Sequence, residues 1–145
     1  MSLEIKILSA AAAAVLERVA PDVFDHAIDA EAAALFLADP RHHLAVAIDA
    51  GVVVGFASGV HYFHPDKPVP ELFVNEVGVA ATHQKRGVAK AILRCLFQHA
   101  RELGCGQAWV LTDQENVPAQ RLYAASGGTS SEHLMFSILL GSDDD

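Results

Sequence analysis

Between Leu72 and Leu111 the sequence changes period twice. Leu72 to Val79 is β-rich. From Gly87 to Leu103, Val88, Ala91, Ile92, Cys95, Leu96 and Leu103 recur at helical spacing while Lys90, Arg94, Gln98 and Arg101 face away. Gly104 closes that helix, and Ala108 to Leu111 reads as a short buried strand. Strand, long amphipathic helix and strand in this order predict a right-handed parallel crossover, which commits the chain to a sheet with a helix packed on it.

The flanking segments extend the sheet. Met1 to Lys6 alternates apolar with polar and starts the chain as a strand, unlike the basic start and apolar run of a signal peptide. Ser9 is placed to cap a helix over Ala10 to Val19, stopped by Pro21, and Asp29 to cap a second over Ala30 to Leu37, with Glu31 in its first turn. Leu44 to Ile48 and Val52 to Phe63, joined by Asp49-Ala50-Gly51, predict an antiparallel hairpin. The Pro-rich stretch His64 to Pro70 predicts a surface loop. Asn116 caps a helix from Val117 to Ser126 with Pro118 near its start and Gly127 at its end, and His133 to Leu140 reads as a last strand. The order β-α-α-β-β-β-α-β-α-β is an α/β chain with a mixed sheet and helices on both faces. Its 145 residues suffice for one domain, 1–140, followed by a short acidic tail, 141–145.

Composition narrows the partners. A hydrophobic content of 52% supports a core, so the chain should fold unaided. Eighteen acidic residues against ten basic give a net charge of −8, which repels a nucleic-acid backbone and favours cationic ligands such as amines. Val52 to Phe63 is broken by glycines and too short for a membrane span, which needs ~20 apolar residues. Cys95 and Cys105 match no zinc or redox spacing and fit a reducing cytosol. Among the eight histidines, His61 and His64 have opposite strand parity and His42 and His43 are adjacent, so neither pair converges on a metal.

The chemistry-bearing place is the junction Gln84-Lys85-Arg86-Gly87-Val88-Ala89. A glycine-bearing turn entering a helix presents unpaired backbone N–H groups at the positive end of the helix dipole, a ready anion site, and Lys85 and Arg86 add charge beside it. A basic helix start with a turn glycine is the plainer reading of the same six residues.

Set after Asn75-Glu76-Val77-Gly78-Val79 and before the long helix, Gln84-x-x-Gly87-x-Ala89 resembles the acetyl-CoA signature of the GNAT N-acetyltransferases. A second block, Asn116-x-x-Ala119-x-x-Leu122-Tyr123-x-x-x-Gly127, resembles that superfamily's helix after the fifth strand. The order of elements matches over nearly the whole chain. Gly128 stands where the superfamily usually has an aromatic. Glu76 to Val79, Asp113 and Pro118-Ala119-x-x-Leu122-Tyr123 also resemble the small aminoglycoside 3-N-acetyltransferases.

The resemblance implies a GNAT-like acyl-CoA N-acyltransferase fold. It implies acetyl-CoA as co-substrate with no metal, direct transfer to a primary amine of a small molecule through a ternary complex, and a homodimer. Glu76 becomes a base or amine-binding residue, its alternative being an exposed strand glutamate. The backbone of Val77, Gly78 and Val79 would pair with the pantetheine arm, the Val77 N–H facing the thioester oxygen and Gly78 suiting a bulge. Gln84, Lys85, Arg86, Gly87, Val88 and Ala89 would hold the pyrophosphate. Tyr123 would protonate the departing sulfur, or else simply pack against the sheet. Asn116 would bond the pantetheine amide or serve only as the cap, and Asp113 joins Glu76 on the substrate side. A protein or peptide acceptor, or a CoA-binding sensor without activity, are the competing readings.

Overall fold

A computed structural model describes residues 3–141. Leu3–Ile7 forms β1, His42–Asp49 β2, Val52–His64 β3, Lys67–Val79 β4 and Gln107–Val110 β5. The strands lie side by side in sequence order, antiparallel from β1 to β4 and parallel between β4 and β5. Three α-helices join them: α1, Ala30–Ala38; α2, Val88–Glu102; and α3, Val117–Ala125.

β2 and β3 are buried almost residue after residue, so both faces of the sheet are covered. The apolar stripe of α2, formed by Val88, Ile92, Leu93, Leu96 and Ala100, lies on one face. On the other, Leu16, Phe24, Ala33 and Phe36 meet Leu44 and Phe56, with the Phe24 and Phe56 rings stacked at 3.9 Å. α1 starts where Asp29 accepts bonds from the Glu31 and Ala32 amides, both at 3.0 Å.

Four local expectations change. Ala10 to Val19 is not one α-helix but 3-10 turns over Ala10–Glu17, interrupted at Ala12, and Ser9 makes no side-chain cap. Alanine propensity without an apolar stripe to dock does not hold a helix this short. The end of the segment is taken instead by β3, where Arg18 and Ala20 bond Val53 through the backbone and Val19 bridges to it.

The Pro-rich stretch is not a loop, because β4 starts at Lys67 and runs through Pro68 and Pro70. The prolines are tolerated where pairing with β3 slips, between the partners Lys67 and Glu71. β5 is exposed over Gln107 to Trp109, not buried, since no strand among the described residues lies beyond it. His133 to Leu140 forms no strand, because nothing among the described residues pairs with it. The tail residues 142–145 lie outside the described residues.

Candidate active site

β4 carries the site. β5 pairs with its first half only, from Glu71 opposite Gln107 to Val74 opposite Val110, and then the two strands part. Beyond Val74 the edge of β4 is therefore open on the β5 side. The Ala80 amide donates to Val54 of β3 at 2.8 Å, and hydrogen-bonding direction alternates along a strand. Glu76 and Gly78 accordingly point their backbone groups at β3, while Val77 and Val79 point theirs into the opening. Their side chains are partly buried against the core.

The bulge on this strand is at Asn75, not Gly78: Ser58 pairs with Glu76 and Gly59 with Val74, leaving Asn75 without a β3 partner of its own. Gly78 is needed for another reason. A Cβ there would collide with the Val23 carbonyl oxygen and sit 2.9 Å from the Phe56 ring.

The opening leads to the start of α2. Gly87 is its N-cap, in the left-handed region at φ 77°, and no side chain caps the helix. The first amides of this 15-residue helix thus have no intrahelical partner and face an exposed turn that carries Lys85 and Arg86. Val88 is buried and Ala89 half-buried, so these two anchor the helix start and contribute backbone. Gln84 ties the turn back to β4, its Nε2 donating to the Val79 carbonyl at 3.1 Å. The preceding 3-10 turn, Ala81–His83, is held by the His83 ring, which bonds Thr82 Oγ1 at 2.8 Å and the Asp49 carboxylate at 2.8 Å. Sequence reading missed this anchor, since Asp49 is 34 residues away and looked like a hairpin residue alone.

Glu76 is exposed and lines a cleft of about 300 Å³ between the sheet and the α1 side. Aromatic walls come from Phe24, Phe36 and Phe56, and Asp25 adds a second carboxylate. Asp29 also lines the cleft, but its carboxylate is engaged in capping α1. No sequence motif marks Asp25, whose place follows from the irregular chain that crosses the sheet before α1.

Tyr123 lies on the opposite side, in a cavity of about 240 Å³ with Val74, Phe97, Trp109, Val110, Gly127 and Gly128. Burial raises its phenol above the usual range, which moves it further from ionisation than an ordinary tyrosine. Asn116 does cap α3, its Oδ1 accepting from the Ala119 amide at 3.1 Å. Asp113 is exposed in the turn ahead of α3, where its carbonyl accepts from the Gln120 side chain, and it does not line the Glu76 cleft. The structure thus brings the Val77 and Val79 backbone and the Gln84–Ala89 turn to one opening, with Glu76 in the cleft on the α1 side, Gly78 paired to β3 and Tyr123 on the α2 side of the sheet.

Among the described residues no group of three or more His, Cys, Asp or Glu is arranged to hold a metal ion. No helix among them is long and apolar enough to cross a membrane. Three histidines do meet, however, on three different elements. His43 of β2 uses both ring nitrogens, Nε2 toward Nδ1 of His61 at 2.7 Å and Nδ1 toward Nε2 of His99 at 3.1 Å. Burial, reinforced by His99 and His61, pushes the His43 imidazole down to about 4.

The model of the Acetyltransferase (GNAT) family matches residues 11–127. The chain is 32% identical to a streptothricin acetyltransferase of Streptomyces lavendulae over 62% of its own length and 45% of that protein. It is 28% identical to an aminoglycoside N(6')-acetyltransferase type 1 of Salmonella typhimurium over 65% of its length and 68% of that protein. An aminoglycoside acetyltransferase from an uncultured soil metagenomic sample, solved in complex with sisomicin, superposes with a TM-score of 0.79 at 18% identity, covering 97% of each chain. The chain spans less than half the length of several relatives it matches.

Proposed function

The chain belongs to the Acetyltransferase (GNAT) family, and we propose that it transfers an acetyl group from acetyl-CoA to a primary amine of a cationic small molecule, directly between the two bound substrates. The observation that carries this reading is the open edge of β4. It offers backbone groups of Val77 and Val79 on a line toward the uncapped start of α2, while Glu76 faces the acceptor cleft. A pantetheine arm can pair with such an edge as an added strand would, and a pyrophosphate suits the Gln84 to Ala89 turn.

Acetyl-CoA supplies the activated thioester, and three tasks fall to the protein. An alkyl amine with an ordinary pKa of ~10.4 is neutral in only about one molecule in 10³ near pH 7, a handicap of roughly 4 kcal/mol. Glu76 takes up that proton, directly or through water. The Val77 N–H donates to the carbonyl oxygen as charge develops there, where one such donor is worth ~3 kcal/mol. Tyr123, a phenol that carries its proton at neutral pH and is held further from ionisation by burial, returns a proton to the leaving sulfur.

The cleft supports this acceptor class. Its volume fits a small molecule, its aromatic walls suit a ring or hydrocarbon frame, and the Glu76 and Asp25 carboxylates favour ammonium groups. The names of the relatives, aminoglycoside and streptothricin acetyltransferases, agree in kind. The test is thiol release from acetyl-CoA with a panel holding sisomicin, linear polyamines and peptide N-termini. Turnover with the small cations supports the proposal; turnover with peptides alone, or acetyl-CoA binding without any turnover, overturns it.

A further inference from the structure

The face of the sheet that presents Glu76 does not end at the cleft. On β3, Ser58, Val60 and Tyr62 share that face, and their partners on β4 are Glu76, Phe73 and Glu71. The bulge at Asn75 puts these three in one row, since without it Phe73 and Glu76 would face opposite ways. β5 continues the row sideways. Trp109 pairs with Phe73, and the centroids of their rings lie 4.4 Å apart.

At its far end the row holds a hydrogen-bonded cluster that the transfer chemistry does not use. The Trp109 indole N–H donates to the Tyr62 hydroxyl oxygen, and that hydroxyl donates to Oε1 of Glu71 at 2.9 Å. Nε2 of His64, buried and without a hydrogen-bond partner among the described residues, stands 3.6 Å from the same oxygen. Both contacts fall on Oε1, so the carboxylate is aimed from β3 and β5 while Oε2 keeps its lone pairs for a ligand. The Glu71 side chain is 26% exposed, which screens a contact there less than at an open surface. Trp109, 39% exposed, offers a ring beside it on which a cation can also rest.

We infer that this cluster is a second binding point for the acceptor, taking a remote ammonium group of an elongated cation that carries two or more amines, one of which reacts at Glu76. The inference rests on the acceptor reading above for the place of the reacting amine. Its spacing comes from the sheet register: Ser58 and Tyr62, the partners of Glu76 and Glu71, are four residues apart on β3, roughly 13 Å at the rise of a strand. An extended saturated chain gains about 1.2 Å per bond, a third of the rise of an extended residue, so about eleven bonds between two amines match that distance. Phe73, midway in the row, gives the frame an apolar floor. A shorter cation reaches one carboxylate only. The site thus sorts acceptors by the distance between their charges, and for a cation of the right length the second contact forms intramolecularly.

Trp109 is the one tryptophan of the chain, so its emission reads this place directly and without turnover. The full chain is titrated with diaminodecane, whose terminal amines have the matching separation, with diaminobutane, and with decylamine, which has the length but a single charge. Diaminodecane should change the emission saturably, with a Kd at least ~10-fold below that of either other amine. Glu71→Gln, which can still accept from Tyr62, should abolish that advantage. No response to diaminodecane, equal constants for the three amines, or an advantage that survives Glu71→Gln would each overturn the second binding point. If the variant does not fold, the three amines on the parent decide. Acetylation kinetics separate this inference from the transferase reading: diaminodecane should show a lower KM than diaminobutane at similar kcat. Acetylation of both at equal KM overturns the second binding point and leaves the transferase, whereas the expected emission pattern without acetylation of any amine upholds the charge spacing and overturns the transferase.

Discussion

Val74 and Glu76 are two residues apart on β4 yet face opposite sides of the sheet. Val74 looks toward α2 with Phe97 and Ala100, whereas Glu76 opens into the cleft with Phe36 and Asp25. Regular alternation would put both on one face. The extra residue at Asn75 reverses the parity, so a strand that buries Leu72 and Val74 in the core can still present a carboxylate to the acceptor side one step later. The bulge also lies where β5 parts from β4, so one irregularity both aims Glu76 and marks the start of the open edge.

Glu76→Gln should keep acetyl-CoA binding and lower kcat. The loss should shrink as pH approaches the acceptor amine's own pKa, because there the amine arrives neutral and needs no base. Rate profiles of both proteins between pH 6 and about 10 read this out. A defect of the same size at every pH would assign Glu76 to holding the amine, not to taking its proton.

Two glycines separate steric from ligand effects. Gly78→Ala pushes a methyl group into the Val23 carbonyl and the Phe56 ring, and should cost ~1–3 kcal/mol of stability before any ligand is added. Gly87→Asp meets nothing within 4 Å of its Cβ, though it carries a left-handed penalty of ~1 kcal/mol. Its main effect should be on binding, since it places a negative charge at the start of α2. Parent protein at ~100 Kd of acetyl-CoA should gain about 2.7 kcal/mol, and Gly87→Asp should gain almost none. Equal thermal shifts in the two proteins would move the phosphate site elsewhere.

Tyr123→Phe removes one oxygen from a half-buried ring. Folding and acetyl-CoA affinity should stay close to the parent while kcat falls by ~10², the usual weight of a general acid. The defect should diminish with an acyl donor whose thiol is more acidic, because a better leaving group needs less help. If both donors suffer equally in rapid-quench measurements of the chemical step, the hydroxyl is not the acid.

The readable parts of this fold were those fixed by local physics. The Asp29 and Asn116 caps, the hairpin at Asp49-Ala50-Gly51 and the amphipathic α2 each depend on residues within one or two turns of each other, and all appear as expected. The expected order of strands and helices, mixed sheet included, survives except at the first helix and the last strand. What failed depended on distant partners. Ala10 to Val19 has ideal helix formers but loses its end to Val53, and Pro68 and Pro70 are allowed in β4 only because β3 slips there. His133 to Leu140 has a strand-like period but forms no strand, because a period does not supply the partner a strand needs. In the site, the Gln84 to Ala89 turn was legible as a motif. Asp25, the His83–Asp49 anchor and the histidine chain were not, since each contact spans tens of residues or lies on an irregular segment.

The histidine chain sets a pH limit on stability. Neutral His43 can donate from one ring nitrogen and accept at the other, which suits neighbours on both sides; a protonated ring would need two acceptors. The charged groups around it are mostly cationic when protonated, with His99, His61 and His42 opposing its charge and Asp39 alone favouring it. His43 is held at about 4 when folded, against ~6.5 when unfolded. Between those values the unfolded chain binds a proton that the folded chain refuses, so stability rises with pH across this window. The contribution is fully present above pH ~6.5 and is lost as pH falls toward 4, amounting to about 3 kcal/mol in all. Urea midpoints of the parent should therefore drop through this range, and His43→Asn should flatten the slope by about one proton. A variant that keeps the parent's slope would place the titrating group somewhere other than His43.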